Sequence, residues 1–113
     1  MPEGPEIRRA ADKIAKVLEG KTVNSIEFAF PHLKPFESDL QSREVTALET
    51  RGKALLIHFD NGLSIYSHNQ LYGRWYIVKH GTLPKTNRSL RLALHTATHS
   101  ALLYSASEID VLD

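Results

Sequence analysis

The sequence has no cysteine among its 113 residues, so neither a disulfide nor a thiolate-ligated zinc site can be assembled within it. It also lacks any apolar run near the ~20 residues that a helical membrane span needs. The first residues are charged and carry no apolar stretch, so no secretory signal is read there. Together these absences set an expectation of a cytoplasmic protein with no membrane partner. The six histidines, His32, His58, His68, His80, His95 and His99, show no compact ligand spacing, and no metal site is expected among them. Net charge is almost missing too, at +1, which by itself does not announce a nucleic-acid binder. Its distribution is less even. Lys79 to Arg91 holds Lys79, Lys85, Arg88 and Arg91 without one acid, and Arg51, Lys53 and Arg74 lie upstream. A phosphate-neutralising patch and a solvated loop with a strand face explain that stretch equally well.

What is present fits one domain over residues 1–113, with an ordinary 42% hydrophobic and 24% charged residues. Ile7, Ala10, Ala11, Ile14, Val17 and Leu18 recur at helical spacing between Pro5, suited to a first turn, and Gly20, suited to a C-terminal cap. They predict an amphipathic helix over Pro5–Glu19. After Gly20 the period becomes two: Ile26, Phe28 and Phe30 alternate until Pro31 and Pro35 interrupt. Further strands are predicted at Glu44–Thr50, Ala54–Phe59, Leu63–Ser67, Trp75–Lys79, Leu90–His95 and Ala101–Tyr104, with Asn61-Gly62 as a hairpin signal. The expected fold is mainly β (α+β), an antiparallel β-sandwich or barrel with a packed N-terminal helix. Ser105–Asp113 is assigned no strand, and it stops after Leu112 without linker composition, as an interrupted longer protein would.

Several residues could carry chemistry. Loss of Met1 would leave Pro2 as a secondary amine beside the Glu3 carboxylate. Such an amine condenses with a carbonyl to give a cationic iminium, an electron sink that needs no further proton. Taken alone, Pro2 reads more simply as the residue after the initiator. Arg51-Gly52-Lys53 precedes an apolar strand, so Lys53 stands at a strand entrance where its ammonium could meet a phosphate, or simply water. Ser67-His68-Asn69-Gln70-Leu71-Tyr72-Gly73 lies between two predicted strands. In it Gln70 offers a base-edge donor and acceptor, Leu71 a wedge and Tyr72 a stacking face, which suits filling the gap behind a flipped nucleotide. The plainer alternative is a hydrogen-bonded loop covering the core edge. His68 is the histidine best placed for a phosphate, whereas Trp75 alternates with strand residues and reads as core.

The start Met1-Pro2-Glu3-Gly4-Pro5-Glu6, the Arg51-Gly52-Lys53 step and the Ser67–Gly73 loop, in this order, resemble the N-terminal domain of the formamidopyrimidine-DNA glycosylase and endonuclease VIII family. Gly4 and the Gln70-Leu71-Tyr72 trio bring the likeness closer to its endonuclease VIII branch. The resemblance implies base-excision repair: removal of oxidised pyrimidines from double-stranded DNA, then β,δ-elimination at the abasic site. It implies that Pro2 is the nucleophile and Glu3 the proton shuttle, that Glu6 supports the site, and that Lys53 contacts phosphate. His68, Gln70, Leu71 and Tyr72 would be the DNA-binding residues. Family members continue into a helix–two-turn–helix module and a four-cysteine zinc finger that this sequence does not contain. Zinc is therefore expected only in that missing module, and no cofactor in this chain. A monomer with weak DNA affinity and little activity of its own is the expectation. Two other readings stay open: an inactive fragment that binds DNA weakly through Lys53, His68 and the Lys79–Arg91 stretch, and an N-terminal-proline enzyme acting on small carbonyl compounds.

Overall fold

Period-two burial along most of the chain builds two stacked antiparallel sheets, seen in a computed structural model that describes residues 4–52, 54–68, 74–79, 89–105 and 108–112, with side chains except at 4–8 and 74. The first helix, α1, spans Gly4–Leu18, within a residue of expectation at each end. Its apolar stripe, Ala11, Ile14 and Leu18, is buried in the core. Gly20 ends the helix in the left-handed region at φ 76°, which an L side chain would adopt only at a cost of about 1 kcal/mol. From there Gly20 N–H donates to the Val45 carbonyl at 2.8 Å, which ties the helix end to the sheet.

Strands follow in chain order: β1 Thr22–Val23, β2 Ser25–Phe28, β3 Arg43–Arg51, β4 Ala54–Phe59, β5 Ser64–His68, β6 Arg74–Lys79, β7 Leu90–His95, β8 His99–Tyr104 and β9 Glu108–Leu112. One sheet has the order β1-β3-β4-β5-β9 and the other β2-β7-β8-β6. Leu55, Ile57, Phe59, Ile65 and Ile109 from the first sheet meet Ile26, Phe28, Leu92, Leu94, Ala101 and Leu103 from the second. Each large apolar side chain taken out of water there contributes roughly 1.5–3 kcal/mol. The outer face of the second sheet carries a smaller cluster of Ala93, Leu102 and Tyr104, with Tyr76 edge-on to Tyr104 at 5.3 Å.

The sandwich with a packed helix is as expected, with three local corrections. The strand predicted to reach Phe30 ends at Phe28, because Pro31 opens a 3-10 turn over Pro31–Leu33. A five-residue helix, α2, follows at Phe36–Leu40, where Glu37 accepts from the Phe28 N–H at 2.8 Å and so seals the end of β2. The third is β9, in the segment that was assigned no strand. It pairs with β5 along its whole length, from Ser64↔Leu112 to His68↔Glu108.

Candidate functional site

Strand register gathers one end of the sandwich into a rim. In the first sheet Ala54, His68 and Glu108 form one cross-strand row, and Arg51 pairs with Ala54 at the β3–β4 turn. In the second sheet Arg74, Tyr104 and Leu90 form the corresponding row. The chain passes between the two rows twice, from His68 to Arg74 and from Tyr104 to Glu108. Four residues span at most about 14 Å, so the two rows lie close across the sandwich. Ser105, at φ 61°, turns the chain out of β8 there, and its N–H donates to the Ser89 carbonyl at 2.8 Å.

Two of the motifs singled out in the sequence, around Lys53 and around Gln70–Tyr72, meet at this rim through their flanking residues. Gly52 and Ala54 bracket Lys53, and His68 and Arg74 bracket the segment holding Gln70, Leu71 and Tyr72. Pro2, Glu3, Lys53, Gln70, Leu71 and Tyr72 themselves lie outside the described residues, and Glu6 is placed only as a first-turn position of α1. Gly52 adopts φ 58°, a conformation that a glycine takes without strain. His68 closes β5 on the outer face of its sheet, half-buried, and its Nδ1 is buried without a hydrogen-bond partner. Ser67, directly before it, is 1% exposed with an unpartnered Oγ, and the Nε1 of Trp75 is likewise buried and unpartnered. The Trp75 ring packs against the core, as its alternation in sequence indicates.

Arg51 is less available than its sequence position implies. Its Nε donates to the Glu49 carboxylate at 2.7 Å. Glu49 in turn faces His58 Nε2 at 3.0 Å, and His58 Nδ1 meets Ser64 Oγ at 2.6 Å. A carboxylate only accepts, so Nε2 donates to Glu49 and Nδ1 faces the Ser64 hydroxyl, which can either donate or accept. This row ties β3, β4 and β5 together on the outer face. The Arg51 hydrogen bond and then the His58 hydrogen bond hold the Glu49 carboxyl below its ordinary value.

Arg91 is the residue that sequence reasoning undervalued, counting it only as one charge of a basic stretch. The β7–β8 ladder shifts register between Leu90 and Leu92, so Arg91 is the extra residue of a β-bulge. Its guanidinium lies over the Phe30 ring at 5.4 Å from the centroid. Nothing in the sequence signals a bulge at that point.

A polar depression of about 490 Å³ lined by Ser38, Asp39, Gln41, Ser42, Arg43, Asn61 and Leu63 lies at the opposite end, beside the β4–β5 hairpin, away from every motif discussed. Among the described residues no group of three or more histidine, cysteine, aspartate or glutamate side chains could hold a metal. The chain has no cysteine for a four-cysteine finger, so its residues do not fit that zinc site. No described helix is long and apolar enough to cross a membrane.

A two-sheet sandwich with an N-terminal helix is a fold shared with proteins whose structures were solved in complex with DNA. Fpg of Lactococcus lactis, in complex with abasic-site-containing DNA, superposes with a TM-score of 0.84 at 17% identity, over 98% of this chain and 43% of that one. MutM in complex with DNA containing carbocyclic 8-oxo-G gives 0.81 at 17% identity, over 97% and 43%. At such identities the likeness is one of fold. Sequence goes further, because the formamidopyrimidine-DNA glycosylase N-terminal domain pattern matches residues 1–107, and the chain belongs to that family. Endonuclease 8 of Salmonella agona is 58% identical over 112 residues, covering 99% of this chain and 43% of the relative. Endonuclease 8 of Salmonella newport is 57% identical over the same length. The chain thus spans less than half the length of these curated relatives.

Proposed function

We propose that this chain is the catalytic half of a bifunctional base-excision DNA glycosylase that removes oxidised pyrimidines and cuts the resulting abasic site. The observation that carries the reading is the rim: strand register brings the residues flanking Lys53 and those flanking Gln70–Tyr72 to the same end of the sandwich. The relationship to Endonuclease 8 supports the choice of reaction.

In this mechanism the Pro2 nitrogen attacks the first sugar carbon of the damaged nucleotide and the base departs. Glu3 protonates the ring oxygen as the sugar opens, which leaves an iminium between Pro2 and the former anomeric carbon. The iminium acidifies the adjacent sugar proton. Its removal expels the 3′ phosphate, and a second elimination expels the 5′ phosphate before water releases Pro2. Glu6, in the first turn of α1, supports the site, while Lys53 and His68 hold phosphate oxygens. Gln70, Leu71 and Tyr72 occupy the space that the extruded nucleotide vacates, which offsets part of the unstacking cost of a few kcal/mol.

Borohydride reduction in the presence of abasic-site DNA tests the reading. Protein lacking Met1 should give a covalent adduct of protein plus DNA strand by intact mass, and protein retaining Met1 should give none, because its Pro2 nitrogen is an amide. Absence of an adduct from the processed protein refutes the enzymatic reading of this chain. Salt-dependent duplex binding without an adduct would instead support a second reading, a non-catalytic DNA-binding fragment, which the 43% coverage of the relatives keeps open.

A further inference from the structure

We propose that Arg91, held over the Phe30 ring, is a phosphodiester-binding subsite for a polynucleotide strand on the second-sheet side of the rim. The inference rests on the reading just given and adds to it a residue that neither the motifs nor the resemblance singles out. Three observations carry it. The bulge between Leu90 and Leu92 takes Arg91 out of the β8 ladder, and such bulges re-aim a side chain. The Phe30 ring, its centroid 5.4 Å from the guanidinium carbon, then helps to hold the group in place. Finally, the half-buried side chain is short of acceptors: its Nε is buried without a hydrogen-bond partner, and among the described residues no ion pair or hydrogen bond to the guanidinium is seen.

A buried Nε–H without an acceptor is an unmatched donor, since buried donors are almost always satisfied. Glu37, which bonds to the backbone at the end of β2 close to Phe30 in sequence, is already engaged. Glu37 accepts from the Phe28 N–H at 2.8 Å and lies 3.8 Å from Lys34, whose ammonium donates to the Phe28 carbonyl at 2.8 Å. A planar, weakly hydrated cation held on a ring and short of acceptors matches the paired oxygens of a phosphate diester. His32, tilted over Phe30 at 6.0 Å between centroids, extends the aromatic surface beside it. Register puts Arg91 next to Leu90, in the same row as Arg74, so a strand held by His68 in the first sheet can run on across the rim to Arg91.

The test follows the Arg91 Nε–H resonance of the whole chain during titration with inorganic phosphate and, separately, with a short DNA duplex, together with duplex affinity as a function of salt. The proposal expects the resonance to move with the duplex. It expects Arg91→Gln to weaken binding about five- to tenfold at low salt and to reduce the slope of log affinity against log salt by about 0.9. Arg91→Lys should keep the slope and still lose affinity, because an ammonium does not stack as a plane. Should Arg91→Gln fail to fold by circular dichroism, the wild-type resonance and Arg91→Lys still decide. A resonance that responds to phosphate but not to duplex, or variants that bind duplex as the wild type does, overturns the subsite. Neither result touches the Pro2 reading, which stands or falls on the borohydride adduct.

Discussion

Replacing Ser67 by alanine should make the protein more stable. Ser67 is 1% exposed and its hydroxyl has no partner, whereas the other two buried polar residues among the described ones, Thr96 and Ser100, are satisfied. Thr96 Oγ1 donates to the His99 carbonyl and accepts from the His99 N–H, each at 3.1 Å, and Ser100 Oγ meets His95 Nδ1 at 2.7 Å. An unmatched buried hydroxyl costs roughly 1–3 kcal/mol of desolvation. Removing one oxygen from a site among apolar neighbours opens little space, so a net gain near 1 kcal/mol is expected. Unfolding entropy near 2.1 cal/mol/K per residue gives about 0.24 kcal/mol/K for a chain of this size, so Tm should rise by about 4 °C. The matched control is Thr96→Val, which keeps the shape but strips the His99 N–H of its acceptor, while the His99 carbonyl keeps the Thr96 N–H at 2.8 Å, and should lower stability by about 1–3 kcal/mol. Urea unfolding of both variants, read at constant m-value, checks the pair. If Ser67→Ala is destabilising by as much as Thr96→Val, the Ser67 hydroxyl is satisfied in solution and the reasoning fails. If it stabilises the fold while lowering the yield of borohydride adduct, the hydroxyl serves the rim rather than the core.

Two further outcomes can be read by the same unfolding assay. Glu49→Gln should be slightly less stable than the wild type at neutral pH, because the folded carboxyl is held below its ordinary value by Arg51 and His58. A depressed carboxyl stabilises above its unfolded pKa and loses that effect as pH falls through the folded one, so the difference should disappear in acid and also shrink with salt. Leu94→Ala, at a position with 0% exposure in the centre of β7, should cost about 2–5 kcal/mol, and a value under 1 would mean that the second sheet is loosely packed.

Much of the architecture was legible because burial in this chain follows simple periods. The stripe of Ala11, Ile14 and Leu18 marked the helix, and Leu55, Ile57 and Phe59 marked the central strand. β9 was harder. Glu108 and Asp110 alternate with Ile109 and Val111, but on an edge strand of five residues the acids face outward, and their charge reads as a polar tail. α2 is too short to show a helical period, and what places it is tertiary: buried Leu40, Phe36 against the core and Glu37 capping β2. For the candidate site, sequence order identified the motifs, but their meeting at one rim depends on pairings such as Ala54↔His68↔Glu108, which no local pattern encodes. Arg91 needed more still, since its placement follows from one extra residue in a ladder.

The hairpin joining β4 to β5 points away from the rim, and there Asn61 holds the tip together by bonding to the Asp39 carbonyl and the Leu63 N–H. Under the proposed function, folding and ligand handling then fall to opposite poles of one small sandwich. Sequence drift at the Asn61 pole should be judged by how well the chain folds, whereas drift around His68 and Arg91 should register first in what the protein can hold.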